Sequence, residues 1–380
     1  MNAPEGRDDS ITAFMAFLSG IRVLDLTRLL PGAYATLMLA ELGADVIKIE
    51  DPRGGDPMRQ LPPFVGGRSV YDLLLNRGKR SVALDLRDPV SRPVLDALVG
   101  WADLVVESFR PATASRLGVS GAQLRARFPK LVHAAITGYG QTGPYAERPG
   151  HDLNYVSVAG LLSADRPHPT HLPRMFMADV GGGAMSAVIA ILAALLARER
   201  NGNGATLDIS MHDAALYWVM LPGAASLIDG GASAVGELPT FGEHACYNVY
   251  ETSDGRQVAL GALEPKFWAQ FCEALGRQDL LPRHLTDSAD QASLLAEVRG
   301  VFRTRTQAEW LAFFEGRDVC LSPVNTPAEA FADPHVSARG TVVRGAGLRA
   351  VRSPFGMPPA PLREAPHVGQ DTAEILASLT

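Results

Sequence analysis

The chain has 380 residues, is 47% hydrophobic and 20% charged, and carries a formal net charge of −6 at pH 7. This length allows a large core and two or three domains, and the composition is that of a soluble globular protein. The acidic balance argues against a general nucleic-acid binder, yet leaves room for an anionic small molecule held by a local basic patch.

The opening MNAPEGRDDS is polar and acidic, so no signal peptide is expected. Ile21 to Thr27 reads as a short apolar strand, followed by the punctuation Pro31-Gly32 and a helix from Ala33 to Leu42. Gly43 stops that helix, and Asp45 to Glu50 is a second strand, completing a βαβ unit. Ser81 to Leu86, Asp103 to Glu107 and Leu131 to Thr137 are further strands, with a helix from Pro93 to Trp101. A buried helix is predicted from Ala184 to Arg200, its apolar run too short to span a bilayer, so no membrane partner is expected. Thr206 to Ser210 is a strand and His212 to Leu221 a helix. Strands alternating with helices predict an α/β fold around a parallel sheet.

The loose stretch from Pro222 to Gly242 reads as a linker. Beyond it, Tyr247 to Tyr250 and Gln257 to Gly261 flank the turn Ser253-Asp254-Gly255 as a hairpin, with helices around Lys266 to Leu275 and Ala292 to Phe302. From Pro334 the chain is rich in Pro, Gly and Arg and is predicted to run back over the first domain. Cys246, Cys272 and Cys320 are far apart and form no C-x-x-C pair. Neither a metal site nor a disulfide framework is expected, and a cytoplasmic location is the simple reading.

The first turn, Leu29-Leu30-Pro31-Gly32-Ala33, lacks the G-x-G-x-x-G that brings backbone close to a pyrophosphate. The βαβ unit is therefore read as scaffold. The basic cluster Asn76-Arg-Gly-Lys-Arg80 precedes a strand, and Arg87, Arg110 and Arg116 lie near later strand ends. These are either a solvated face or an anion site, since ligands collect at the strand ends of parallel sheets.

His151 stands out among nine histidines: Gly150 precedes it, Asp152 follows it, and Tyr155 would share its face on a helix. Asp179 precedes the long apolar helix and three glycines, Gly181 to Gly183. It is a helix cap or a working carboxylate, and the glycines make sense if something packs closely on that backbone. Glu264, before Pro265, is a loop carboxylate or a third member of the site. An imidazole with carboxylates suits either proton transfer at carbon or attack by a carboxylate nucleophile.

Several motifs resemble the family III (CaiB/BaiF-type) CoA-transferases over nearly the whole chain. They are Leu42-Gly-Ala-Asp-Val-Ile-Lys-Ile-Glu50, Asn76-Arg-Gly-Lys-Arg-Ser81, Glu107-Ser-Phe-Arg-Pro111, Thr137-Gly-Tyr-Gly-Gln-Thr-Gly-Pro144 and Asp179 with its glycines. Gly150-His-Asp-Leu-Asn-Tyr155 and Gly261-Ala-Leu-Glu-Pro-Lys-Phe267 are similar to the α-methylacyl-CoA racemase branch. Two departures stand out: Arg53 is the basic residue in the segment after the second strand, and Gly242 to Tyr250 differs from the usual racemase segment bordering the acyl pocket.

The resemblance implies a large Rossmann-like CoA-binding domain over residues 15–211, completed by 345–380, a linker over 212–241, a small α+β domain over 242–332 and a return linker over 333–344. It also implies an interlocked homodimer in which Glu264 of one chain meets His151 of the other. The reaction implied is racemisation of 2-methylacyl-CoA thioesters, with His151, oriented by Glu264, on one face of C2 and Asp179, hydrogen-bonded through Tyr155, on the other. The enolate oxygen would be held by a backbone N–H near Asp152 or in Gly181 to Gly183. CoA, as part of the substrate, would contact Leu84, Leu86, Arg87, Phe109 and Arg116, with Arg28, Leu29, Leu30 and Gly150 adjoining, and no other cofactor is expected. The alternative is a CoA-transferase with Asp179 as nucleophile.

Overall fold

The computed structural model describes residues 16–164, 175–227, 239–345, 348–355 and 363–379. Its contacts divide the chain into two units: unit 1 takes Met1–Val219 with Gly340–Thr380, and unit 2 takes Met220–Arg339.

Unit 1 is built on six parallel strands, β1 Arg22–Asp25, β2 Asp45–Glu50, β3 Arg80–Ala83, β4 Leu104–Glu107, β5 Val132–Thr137 and β6 Thr206–Ser210. Their order across the sheet is β3-β2-β1-β4-β5-β6, the order of a doubly wound sheet whose direction of winding reverses between β1 and β4. The strands are near-continuous apolar runs because both faces are covered. Val23, Leu104 and Val106 pack on one side with Met38 and Leu39, while Leu24, Ile47 and Val105 pack on the other with Leu95, Leu98 and Val99.

Helix α1 spans Leu29–Glu41, four residues longer at its start than the sequence predicts. Helix α2 spans Arg92–Trp101 and α3 spans Asp152–Val158. The long apolar helix starts earlier than predicted: it is π-helical over Met177–Met185 and continues as α4, Ser186–Asn201. At 25 residues, Met177–Asn201 is long and apolar enough to cross a membrane by length and composition. Here its Ala187, Val188, Ile191 and Leu195 are buried in the core of unit 1, while Met185, Ile189 and Leu196 are exposed.

Residues 212–219 do not begin a linker. They form most of α5, Met211–Val219, which belongs to unit 1 because its Trp218 ring and Met211 side chain pack on Gly181 and Gly183. Near the other end, Pro334–Ala338 is a short helix and Val342–Gly345 pairs with Leu348–Val351, so 333–344 is more structured than a linker. The C-terminal helix Thr372–Ser378 packs on unit 1, with Ile375 in its core and Asp371 accepting from the Ser81 N–H at 2.7 Å.

Unit 2 has a three-stranded antiparallel sheet. Strand β7, Tyr247–Glu251, pairs with β8, Gln257–Gly261, which pairs with β9, Leu321–Pro323. Gly255 supplies the positive φ of the hairpin turn. Helices Pro265–Leu275, Ser288–Phe302 and Gln307–Phe314 close over the sheet, and Trp268, Phe271, Phe302 and Trp310 form an aromatic core.

Candidate functional site

Two features of unit 1 carry chemistry. The first is a cleft of about 290 Å³ at the carboxyl ends of β1, β2, β3 and β4, where doubly wound sheets bind ligands. It brings together six residues expected to contact CoA: Arg28, Leu84, Leu86, Arg87, Phe109 and Arg116. Leu29 and Leu30 are not in its wall. Leu29 is 36% exposed, and Leu30 packs with Ala33, Leu37, Met58 and Leu75. Gly150 also lies outside the wall, its carbonyl accepting from the Tyr155 hydroxyl at 2.5 Å.

The cations in and beside the cleft differ in availability, Arg53 lying outside its wall. Arg53 pairs with Asp51 at 2.8 Å and Asp85 at 3.0 Å, and Arg87 pairs with both at 3.1 Å. Among the described residues Arg28 and Arg116 form no ion pair, and the Arg28 guanidinium stands 5.8 Å from the Phe109 ring centroid. The Arg28 charge nonetheless reaches Asp51 and, after Arg53, helps to hold that carboxyl below its ordinary range.

The basic cluster at 76–80 is neither a solvated face nor an anion site. Asn76 and Lys79 are buried, and Lys79 Nζ bonds Thr36 Oγ1 at 2.8 Å and Asn76 Oδ1 at 3.0 Å and lies 3.4 Å from Asp25. Arg77 pairs with Glu41, and Arg80 with Asp45. The cluster faces inward because β1 and α1 present carboxylates and hydroxyls that a buried ammonium needs.

The second feature lies at the start of α3. His151 is the N-cap residue in extended backbone; its N–H donates to Asn154 Oδ1 at 3.0 Å, while its carbonyl accepts from the Asn154 N–H at 2.8 Å. Its side chain is exposed. Asp152 follows as the first helical residue, and its Oδ1 accepts from the Asp179 N–H at 2.8 Å. Asp152 thus ties the imidazole-bearing cap to the Asp179 turn. Asp179 lies inside the π-helical segment and not before a helix, since the Val180 N–H already donates to the Phe176 carbonyl. Burial, with the Asp152 carboxylate adding to it, pushes the Asp179 carboxyl up to about 7.

Tyr155 does not hydrogen-bond Asp179, and it does not share a face with His151. His151 is the cap, so the helical spacing does not apply to it, and the Tyr155 ring turns inward against Gly138 and Gly150. A Cβ on either glycine would stand 2.3 or 2.6 Å from that ring. The hydroxyl is pushed up to about 12 by burial and by the charge of Asp179, which makes it a neutral packing and hydrogen-bonding group. Tyr139 meets the ring edge-on at 5.1 Å between centroids.

The three glycines do let something pack close, but it is this chain's own side chains. A Cβ at Gly181 would lie 2.1 Å from the Trp218 ring, and one at Gly183 would meet Met211 and Pro31. The Asp152 N–H, at the first position of α3, donates to no described residue. Glu264 is exposed in unit 2, at the N-cap of Pro265–Leu275. The sequence reading missed Asp56, whose carboxylate accepts from the Met58 and Leu29 N–H groups. Its position just before Pro57 is an N-cap signature that could have found it.

A family model described as CoA-transferase family III matches residues 18–372. The alpha-methylacyl-CoA racemase of Mus musculus is 32% identical to the chain, covering 94% of it and 92% of the racemase. The succinyl-CoA:glutarate CoA-transferase of Homo sapiens is also 32% identical, covering 98% of the chain and 88% of the transferase. A CaiB/BaiF family protein from Brucella suis has a solved structure that superposes with a TM-score of 0.83 at 31% identity, covering 96% of this chain and 99% of that one.

Proposed function

The chain belongs to CoA-transferase family III, and on that premise we propose that it racemises 2-methylacyl-CoA thioesters. The thioester carbonyl acidifies the proton on C2. One group removes that proton to give an enolate, and a second returns a proton to the opposite face. His151 and Asp179 take these two roles, and inversion exchanges their protonation states.

The observation that supports this best is the Asp152 tie. It links the backbone turn that carries Asp179, whose carboxyl is poised at about 7, to the helix start capped by the exposed His151. A group with that pKa serves as acid or base at neutral pH, whereas a carboxylate nucleophile works best fully ionised. The open Asp152 N–H is the proposed donor to the enolate oxygen. The cleft would take CoA, with Arg28 and Arg116 meeting its phosphates and Phe109 its adenine ring. The proposal includes the homodimer, in which Glu264 from a second copy orients His151.

A second reading is CoA transfer through an acyl anhydride on Asp179. The relatives leave it open, since a transferase is as similar to this chain as a racemase is. Incubating one 2-methylacyl-CoA enantiomer in D₂O without an acceptor acid separates the two. Deuterium at C2 with loss of optical purity is the expected result. Transfer of CoA to an added carboxylate without C2 exchange would replace the racemase reading with the transferase.

A further inference from the structure

The rim of the cleft runs from β1 into α1 through Thr27, Arg28 and Leu29, and a side chain holds the backbone of each of them. The Thr27 N–H donates to Asp25 Oδ1 at 2.9 Å, and the Thr27 carbonyl accepts from Lys48 Nζ at 2.9 Å. The Arg28 N–H donates to Ser108 Oγ at 3.0 Å. The Leu29 N–H donates to the Asp56 carboxylate, 3.2 Å from each oxygen. Lys48 in turn lies 3.0 Å from Asp56 Oδ2 and 3.9 Å from Asp25 Oδ2. One buried ammonium therefore joins the carboxylates that hold both ends of the rim.

Leu29 has φ +61, left-handed backbone that a non-glycine residue with a Cβ disfavours. In that conformation its N–H points to the Asp56 carboxylate. Arg28, immediately before, forms no ion pair among the described residues, although its charge reaches Asp51, and the turn sets the point at which its side chain leaves the backbone. The Lys48 and Asp56 side chains are each 1% exposed; Asp56 lies in the cleft's wall, with its carboxylate taken up by the Leu29 and Met58 N–H groups and by Lys48.

We propose that Lys48 and Asp56 form a positioning pair for ligand binding, which keeps Leu29 left-handed and thereby aims Arg28 at the anionic part of a CoA thioester. This rests on the cleft being the CoA site. It assigns a task to two buried charges that a purely structural ion pair would not have, and it makes the backbone at an exposed position control affinity.

Titration calorimetry with CoA tests it on four variants: Leu29→Gly, Leu29→Val, Asp56→Asn and the double variant Asp56→Asn/Leu29→Gly. Glycine and valine both remove the leucine side chain, and they differ in their tolerance of positive φ. Leu29→Gly is expected to bind CoA at least as tightly as the wild type, and Leu29→Val about tenfold more weakly. Asp56→Asn is expected to lose a similar factor, and adding Leu29→Gly to recover most of it. Such recovery would not follow from a merely structural role for Asp56. Should Asp56→Asn fail to fold, the Gly–Val pair at the exposed position still decides. Equal binding by Leu29→Gly and Leu29→Val would overturn the proposal, as would Asp56→Asn binding like wild type. A wild-type protein that does not bind CoA would overturn the reading of the cleft, and this proposal with it.

Discussion

Asp25 and Asp179 are the same side chain in two surroundings. Burial alone pushes Asp25 up, but Lys48, Lys79 and the hydroxyls of Thr27 and Thr36 more than offset this, and the carboxyl ends below its ordinary range. Both hydroxyls are 2.6 Å away. Asp179 is less buried, yet it has no cation to offset burial and a second carboxylate, Asp152, beside it, so it rises to about 7. Compensation decides the role. The charge under the cleft is fixed and supports the sheet ends, whereas the charge at the π-helical turn is left free to gain and lose a proton near neutrality.

The comparison can be broken most decisively at the uncompensated site. His151→Ala and Asp179→Ala are each expected to lower racemisation on the order of a thousandfold or more while the protein stays folded, because inversion needs a proton donor on one face and an acceptor on the other. Optical rotation of the thioester and far-UV circular dichroism would read the two effects. Activity within a few-fold of wild type in both variants would remove the two-base assignment. Refolding His151→Ala together with Glu264→Ala extends the test. Part of the activity should return, since one site of the mixed dimer would carry both defects and the other neither. Verified mixed dimers without activity would remove Glu264 from the site.

At the compensated site the expected loss is in stability. Asp25→Asn leaves Lys79 and Lys48 short of a buried counter-charge and is expected to cost about 3–5 kcal/mol, the range for breaking a buried pair from one side. Denaturant unfolding at pH 7 measures it. A loss under 1 kcal/mol would mean that Asp56 and the threonine oxygens satisfy both ammonium groups unaided, and that the contrast between the two aspartates is weaker than their geometry implies.

The same contrast marks what was legible in the sequence. All six strands of the large sheet were, because a sheet covered on both faces writes itself as apolar runs. The start of α1 was not. The carboxylate that secures its first N–H belongs to Asp56, 27 positions away, beyond the reach of local propensity. The cluster at 76–80 reads as a basic surface until β1 and α1 are in place to bury Lys79. At the site, glycine flanks singled out His151 and Asp179, but their link through Asp152 is a contact between distant segments. Tyr155 was misplaced because spacing by four holds only inside a helix, and His151 is its cap. The glycine flanks mark Asp179, but nothing in the sequence shows that Asp25 is compensated; the cations that make it structural arrive only with the fold.

The smallest expected effect sharpens the comparison most, because it reads the uncompensated charge directly. In the folded protein the Asp179 carboxyl titrates at about 7, against 3.8 as its ordinary value, so the folded state holds that proton more tightly than the unfolded chain does. Its contribution to stability is full below pH 3.8 and is lost as pH rises through 7. Asp179→Asn removes the titrating group but keeps the shape. The variant should therefore gain on the wild type as pH rises, by on the order of 1–2 kcal/mol at pH 8 once partial solvent screening is discounted, and by much less at pH 5. Thermal or denaturant unfolding of both proteins at the two pH values measures this. Asp25→Asn should show no such reversal, being the less stable protein at both. If Asp179→Asn shifts stability equally at pH 5 and pH 8, the carboxyl does not change charge between them. It would then be ionised throughout, as a nucleophile requires, and the argument for acid–base chemistry at this turn would lose its electrostatic support.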